Sequence, residues 1–294
     1  MIYIGIGGCI EQRLPLEILK LSILKHSKSI INFIDLSNIS LNNKYSFKKQ
    51  RTPFSYQRFL FAELCLNIES TDVAIYLDSD MIVFSDINDL ASIFLESKLN
   101  IMTVKSSKYT TRRSQSSVIV FNKRGAINLV EYFNSYNSDQ KQYDEIFYLH
   151  KEDGWEALDP TWNSLEFFTT ETKLLHFTDM DYQPWLSRKN PLRGLWECFV
   201  LESICKNENF KSIFLNELSK KNIRPSLAIL LNTKLYCSNV SLKLIFEDFL
   251  WIPPHRMQLL KSLKVNKYIM IIFYITSNIF LSLKNKKNGI INQI

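Results

Sequence analysis

Two aspartates, Asp78 and Asp80, interrupt the otherwise apolar stretch VAIYLDSDMIVF at residues 73–84. A carboxylate among apolar side chains is costly unless it is paired or binds a metal ion. Residues two apart in a strand point to the same side, so at the carboxyl end of an α/β strand both carboxylates can share one cation. Such hard oxygen ligands suit Mg²⁺ or Mn²⁺, particularly where phosphate oxygens complete the coordination. The competing interpretation of an isolated D-x-D tripeptide is a solvated turn.

A third candidate ligand, His176, ends a second short apolar run in the segment LLHFTDMDYQPW at residues 174–185. Neutral imidazole is an acceptable ligand for Mn²⁺. A lone histidine is more often structural, so the weight of His176 comes from its combination with the Asp pair. We therefore treat Asp78, Asp80 and His176 as candidate metal ligands.

Strand-like and helix-like segments alternate around these residues. The hydrophobic patterns predict strands at residues 3–8, 29–36, 73–77, 81–84, 101–105 and 116–122, and helices at residues 14–27, 54–66, 125–136 and 143–150. This alternation is typical of an α/β sheet flanked by helices. Residues 157–190 are aromatic and irregular, which favours either a loop that covers a site or a packed layer. From about Leu192 onward the pattern is helical.

The composition is that of a globular protein of enzyme size. The chain has 294 residues, of which 46% are hydrophobic, so it can bury a large core. Its five cysteines are widely spread without a C-x-x-C pair, which argues against a disulfide framework or a zinc ribbon. The apolar start lacks the basic region and cleavage site of a secretion signal. We expect the body of the protein to be cytoplasmic.

The C-terminal tail, residues 261–294, differs in kind from the rest of the chain. Its apolar run at residues 268–283 lies between two groups of lysines, and the net charge of the chain is +7. A spanning helix needs ~20 apolar residues, so this run is short. It predicts a helix on the inner face of a membrane, with lysines at anionic headgroups. A buried final core helix is the alternative.

Together these features resemble the retaining glycosyltransferases of family 8, which have the GT-A fold. The resemblance extends over about residues 2–190 and is carried by Arg58 before the motif, IYLDSDMIVFSDINDL, SSVIVFN, the 143–145 region and HFTDMDYQPW. It implies a Rossmann-like, mixed, mainly parallel sheet flanked by helices, and the helical pattern from about Leu192 onward predicts a helical C-terminal extension. We predict a catalytic domain at residues 1–205, a helical region at residues 206–260 and a membrane-associating tail at residues 261–294.

The resemblance also implies roles for individual residues. Asp78, Asp80 and His176 match the family's ligands for Mn²⁺ or Mg²⁺. Catalytic roles are implied for Arg58, near the donor sugar and phosphate, and for Asp144 or Glu145, where the family carries a polar pair beneath the sugar. The implied contacts with the sugar nucleotide are Gly5, Ile6, Gly7, Arg58, Asp78, Ser79, Asp80 and Gln183.

The sequence departs from the family pattern in two places. The first loop, GIGGCIEQ, has no acidic or amide residue before Glu11, where the family usually has one. Gln183 stands where the family often places a lysine or another donor on the diphosphate, with one extra residue in the spacing. Arg188 and Lys189, just beyond, are candidates to supply the missing charge.

The implied function is metal-dependent transfer of a hexose from a nucleotide-diphosphate sugar, with UDP favoured, to a glycan or lipid-linked glycan, as in lipopolysaccharide or capsule synthesis. Two alternatives stay open. One is a haloacid dehalogenase-type Mg²⁺-dependent phosphatase, in which D-x-D also follows an apolar strand but usually opens the fold. The other is a non-enzymatic module that binds membranes or nucleic acid. No recognised nucleic-acid motif is present, so we expect no nucleic-acid partner.

Overall fold

The computed structural model of the chain describes residues 1–39, 55–69, 71–105, 116–138, 155–231 and 239–257. The described residues form two compact units. The first comprises Met1–Pro184 and Lys189–Phe199, and the second comprises Trp185–Arg188 and the residues from Val200 onward. The domain boundaries expected at residues 205 and 260 stay predictions.

A six-stranded mixed sheet is the centre of the first unit. Its strands are β1 (Ile2–Gly7), β2 (Ile31–Asp35), β3 (Val73–Asp78), β5 (Ile101–Val104), β6 (Val118–Phe121) and β7 (Glu156–Leu158). They lie in the order β2-β1-β3-β6-β5-β7. The β1–β2, β1–β3 and β5–β7 pairs are parallel, whereas β6 is antiparallel to both neighbours. The predicted α/β architecture with a mixed, mainly parallel sheet is confirmed.

Four helices surround this sheet: α1 (Arg13–His26), α2 (Gln57–Leu66), α3 (Ile87–Ser97) and α4 (Lys123–Ser138). Strand β3 is buried along its whole length. Its alternate residues contribute to two separate core clusters, Ile75 and Leu77 to one, and Ala74 and Tyr76 to the other. A strand covered on both faces reads as a continuous apolar run, which explains why the Asp pair stands out in the sequence.

Two helices differ from the sequence-based expectation. Helix α3 was not predicted; the Asp86 side chain caps it by accepting the Asn88 N–H. Helix α4 begins before Gly125, because the Asn122 side chain accepts the Gly125 N–H at 2.9 Å. A Cβ on Gly125 would lie 2.0 Å from the Asn100 carbonyl oxygen, so this position requires glycine for close packing. The helix expected at residues 143–150 lies outside the described residues.

A second, three-stranded sheet in the same unit consists of β4 (Met81–Val83), β8 (Ser164–Leu165) and β9 (Leu174–His176), in the order β4-β9-β8. Strand β4 follows the Asp pair directly and is antiparallel to β9. This short sheet therefore connects the segment after the Asp pair with the segment that carries His176.

The chain from Arg193 onward is helical in its described part, as predicted. It contains α5 (Arg193–Lys206), α6 (Glu208–Ser219), a 3-10 helix (Pro225–Leu231) and α7 (Asn239–Leu250). The Asp248 carboxylate joins the last two, because it accepts hydrogen bonds from the Ser226 N–H and hydroxyl. None of the helices in the described ranges is long and apolar enough to cross a membrane. The tail at residues 261–294 lies outside those ranges.

Candidate metal centre

Strand register brings the three predicted metal ligands together. Asp78 is the last residue of β3, and Asp80 directly precedes Met81, which is paired with His176 in the β4–β9 ladder. The Phe177 N–H extends this ladder by donating to the Asp80 carbonyl oxygen at 2.9 Å. One ligand atom from each of Asp78, Asp80 and His176 lies within 4.8 Å of the others, and all three residues are buried. The pairing of two short strands thus brings His176 next to the Asp pair, although these residues are distant in the sequence.

The Asp78 carboxylate is held from one side by an aromatic hydroxyl and a guanidinium. The Tyr76 hydroxyl donates to Asp78 Oδ1 at 2.7 Å, and Arg58 Nη2 lies 3.5 Å from the same oxygen. Burial raises the pKa of the Asp78 carboxyl above its ordinary value; the Arg58 charge opposes this rise and the Asp80 charge adds to it. A bound cation would favour the ionised form further, because it adds opposite charge beside two carboxylates.

One carboxylate oxygen of Asp80 faces one ring nitrogen of His176. Asp80 Oδ1 lies 3.0 Å from His176 Nε2 and has no hydrogen-bond donor among the described residues. On the other side of the ring, His176 Nδ1 lies 3.0 Å from Asn163 Oδ1. An amide oxygen only accepts, so this partner assigns a proton to Nδ1, and in the neutral imidazole the lone pair is then on Nε2. A buried carboxylate oxygen facing a bare imidazole nitrogen fits a shared divalent cation.

The glycines of the first loop differ in what surrounds them. Gly7 is paired with Asp78 across the β1–β3 ladder, and a Cβ there would lie 2.0 Å from the Tyr76 hydroxyl. A Cβ on Gly8 would lie 2.7 Å from Ser79 Oγ. Larger side chains at these two positions would therefore push against the groups that surround the Asp pair.

A buried glutamine fixes this loop. Gln57 Oε1 accepts the Gly8 N–H at 2.8 Å, and Gln57 Nε2 donates to the Gly8 carbonyl oxygen at 3.1 Å. By contrast, a Cβ on Gly5 would lie 2.5 Å from the Phe61 ring, and Ile6 belongs to the hydrophobic core. The nucleotide contacts expected of Gly5 and Ile6 stay predictions, and the core position of the Ile6 side chain leaves only its backbone for such a contact.

Gln183 lies against Asp80. Its Nε2 donates to Asp80 Oδ2 at 2.9 Å and to the Phe177 carbonyl oxygen at 2.9 Å. Both amide hydrogens are therefore engaged within the protein, and the predicted contact with a diphosphate would have to replace one of them. Ser79, another predicted contact, donates through Oγ to Gln12 Oε1 at 2.9 Å.

Arg58 connects the Asp pair to two neighbouring segments. Its Nε donates to the Ser55 carbonyl oxygen at 2.9 Å, and its Nη1 donates to the Ser116 carbonyl oxygen at 2.6 Å. The guanidinium also lies over the Tyr76 ring, 5.2 Å from the centroid. The other two predicted catalytic residues, Asp144 and Glu145, lie outside the described residues.

Sequence reasoning assigned no role to several polar residues of the site, namely Gln57, Tyr76 and Asn163. Gln57 lies within the helix predicted at residues 54–66, and Tyr76 lies within the strand predicted at residues 73–77. Asn163 is the last residue of a 3-10 helix, Pro160–Asn163, which is capped by the Asp159 side chain accepting the Thr161 N–H. The available signal for Asn163 was an amide side chain within the aromatic stretch at residues 157–190. If such an amide is buried, it needs a defined hydrogen-bond partner.

Comparison with known protein families gives one match. Residues 15–135 match the family model described as Glycosyl transferase family 8, a range that contains Arg58, Asp78 and Asp80. This match confirms the predicted resemblance and favours it over the phosphatase and binding-module alternatives. No curated protein matches the chain in sequence.

Two similar solved structures are also glycosyltransferases. The apo form of GlyE from Streptococcus pneumoniae TIGR4 is 16% identical over 75% of this chain and 63% of that chain, with a TM-score of 0.49. The bifunctional enzyme WbbM, in its apo form, is 16% identical over 72% of this chain and 51% of that chain, with a TM-score of 0.51. This chain thus spans between one half and two thirds of their length. The similarity to WbbM shows a shared fold.

Proposed function

We propose that the protein transfers a sugar from a nucleotide-diphosphate donor, assisted by a divalent metal ion, because residues 15–135 match the family model described as Glycosyl transferase family 8. The observation that carries this proposal is the buried group of Asp78, Asp80 and His176, whose ligand atoms lie within 4.8 Å of one another. The acceptor atoms of Asp80 and His176 face each other without a donor between them, which supports a cation site.

Asp78, Asp80 and His176 would hold Mn²⁺ or Mg²⁺. When bound, the ion supplies Lewis-acid stabilisation of the charge that develops on the leaving diphosphate. Arg58 and Tyr76 would favour the ionised form of Asp78 and orient its carboxylate through contacts at 3.5 and 2.7 Å. Such preorganisation is worth more in a buried site than in water, because little solvent has to reorganise during the reaction.

We propose that the first loop and the Asp pair contact the donor together. Gly7 is paired with Asp78, and the Ser79 N–H donates to the Gly7 carbonyl oxygen at 2.8 Å. Glycines at Gly7 and Gly8 would let the backbone approach the nucleotide closely. Gln57, by holding both sides of the Gly8 peptide, would keep the loop in one conformation before the donor binds.

The finer assignment rests on the family resemblance. We favour a UDP-hexose donor, transfer with retention, and a glycan or lipid-linked glycan acceptor, as in lipopolysaccharide or capsule synthesis. Asp144 or Glu145 would stabilise positive charge on the sugar ring as the diphosphate leaves. The demand on the protein is then mainly positioning and charge stabilisation, so no strongly basic residue is required.

The direct test is hydrolysis of a panel of sugar nucleotides by the purified full chain, with Mn²⁺ or with a chelator. The proposal predicts that Mn²⁺-dependent release of the nucleoside diphosphate occurs with one donor class, because water can replace the acceptor slowly. Transfer to added glycan acceptors would then identify the second substrate. Absence of release from every donor, together with phosphate release from simple phosphomonoesters, would contradict the proposal and favour a phosphatase.

For the C-terminal tail we propose peripheral contact with the inner face of the membrane. Its apolar run between lysine groups supports this proposal, since both burial in the interface and attraction to anionic lipids contribute to binding. We predict that truncation before Lys261 abolishes sedimentation with vesicles containing anionic lipid but leaves donor hydrolysis unchanged. Lys220→Gln combined with Lys221→Gln is the control, because it removes two positive charges elsewhere. Vesicle binding that survives truncation would contradict the proposal.

A further inference from the structure

We propose that two buried amides, those of Gln183 and Asn163, are positioning residues that aim Asp80 and His176 at the metal ion. We call this pair the amide clamp. The inference rests on the proposed function, because it concerns the same metal site. It assigns to Gln183 a role toward a ligand carboxylate in place of a role toward the diphosphate.

Gln183 fixes one oxygen of Asp80 and leaves the other exposed to the cation. Its side chain is only 1% exposed, and its two amide hydrogens go to Asp80 Oδ2 and the Phe177 carbonyl oxygen, both at 2.9 Å. The carboxylate is thereby turned so that Oδ1, which has no donor among the described residues, faces His176 Nε2. A carboxylate held at one oxygen cannot rotate away from the ligand set without losing a buried hydrogen bond.

The neutrality of Gln183 matters as much as its hydrogen bonds. A lysine at this place would put an ammonium beside Asp80, and the resulting ion pair would compete with the cation for the same carboxylate. An amide donates a hydrogen bond without adding a full positive charge. The site therefore keeps the attraction of both carboxylates for the metal ion.

Asn163 performs the corresponding task for His176. Its Oδ1 lies 3.0 Å from His176 Nδ1, and its Nδ2 donates to Ser117 Oγ at 3.1 Å. The contact with Ser117 anchors the other end of the amide, away from the ring. The Ser117 carbonyl oxygen in turn accepts the Asp78 N–H at 3.2 Å, so the imidazole and the first aspartate are anchored to the same residue.

The rigidity of Asn163 comes from its place in the chain. It ends the 3-10 helix Pro160–Asn163, which the Asp159 side chain caps. With the amide oxygen held toward Nδ1, the ring presents the unprotonated Nε2 to Asp80. Partners of this kind orient metal-binding histidines, and their loss typically costs ~10–100-fold in metal affinity.

The test is titration of the full chain with Mn²⁺ alone, followed by the electron paramagnetic resonance signal of free Mn²⁺. Gln183→Met and Asn163→Leu keep size but remove the polar contacts, and each should raise the Kd by ~10–100-fold. Asn163→Asp keeps an acceptor for Nδ1, so its Kd should stay close to that of the unaltered chain. Asn190→Ala is the matched control, because it removes a buried amide contact to Glu166 in the same segment and touches none of the ligands.

A measurement on the unaltered chain tests the clamp without any risk to folding. The ¹⁵N chemical shifts of His176 in the metal-free protein, assigned by comparison with His176→Gln, should show the proton on Nδ1. An Nδ1 without a proton, as in a neutral ring protonated only on Nε2, would overturn the role of Asn163. Mn²⁺ binding that both clamp variants retain at full affinity would overturn the clamp alone, whereas no Mn²⁺ binding by the unaltered chain would contradict the proposed function itself.

Discussion

Asp80→Asn should lower sugar transfer by roughly three orders of magnitude without unfolding the protein. The asparagine oxygen can still accept the hydrogen bond from Gln183, so the local packing survives. The negative charge that attracts the metal ion is lost, however, and metal stabilisation of a leaving diphosphate contributes several kcal/mol to the transition state. About 4 kcal/mol corresponds to a ~10³-fold change in rate. The measurement is the rate of nucleoside diphosphate release at saturating Mn²⁺, with circular dichroism as the check on folding.

Asp89→Asn is the matched control for this variant. Asp89 is exposed in the first turn of α3, nine residues further along the chain, and is not one of the proposed ligands. The Asp89→Asn substitution makes the same chemical change as Asp80→Asn. Its rate should equal that of the unaltered chain. Full activity in Asp80→Asn would place the metal site elsewhere in the molecule.

Arg58→Met should lower the free energy of unfolding by about 3 kcal/mol, because breaking a buried ion pair leaves the partner charge uncompensated. Arg58 and Asp78 are both buried, with 7% and 8% exposure, so solvent cannot replace the lost guanidinium. The hydrogen bond from Arg58 Nη1 to the Ser116 carbonyl oxygen is lost as well. Urea denaturation, followed by circular dichroism, measures the difference.

The loss of stability in Arg58→Met should increase with pH. Burial already raises the pKa of Asp78 in the folded protein, and Arg58 holds that rise in check. Without Arg58 the folded-state pKa moves further above that of the unfolded chain. A carboxyl whose folded-state pKa is raised costs stability as the pH increases through the interval between the two values. The loss should therefore be larger at pH 8 than at pH 5.

A double variant separates the ion pair from simple loss of packing. Arg58→Met combined with Asp78→Asn should recover part of the stability, because no unpaired charge remains in the core. Arg13→Met is the surface control; its pairs with Glu17 and Asp35 are partly exposed, so we expect a loss of less than about 1 kcal/mol. An Arg58→Met variant as stable as the Arg13 control would contradict the role given to Arg58.

The sequence was most informative where charged side chains occur within an apolar segment. The apolar patterns at residues 73–77 and 81–84 predict two strands, and the two carboxylates between them stand out for that reason. His176 could be connected with them because its residue type and its position at a strand end matched the same chemistry. The α/β architecture followed from alternating periodicities, each of which is a local signal.

The remaining features depend on contacts between distant segments. The pairing of Met81 with His176 belongs to a ladder of three residue pairs, too short to be recognised from periodicity. The roles of Asn163 and Gln183 follow from which atoms they meet after folding. Likewise Gly5 and Gly7 look equivalent in the sequence, yet a Cβ on one would meet the Phe61 ring and on the other the Tyr76 hydroxyl.

The central claim is that a metal ion held by Asp78, Asp80 and His176 binds a sugar nucleotide. The most direct measurement is the melting temperature of the full chain with Mn²⁺ and a panel of UDP, GDP, CMP and their sugars, repeated for His176→Ala. A ligand that binds only the native state raises the melting temperature according to its affinity. We predict stabilisation by one nucleotide class, dependent on Mn²⁺ and lost in the variant. An unchanged melting temperature with every nucleotide, in the presence of Mn²⁺, would contradict the claim.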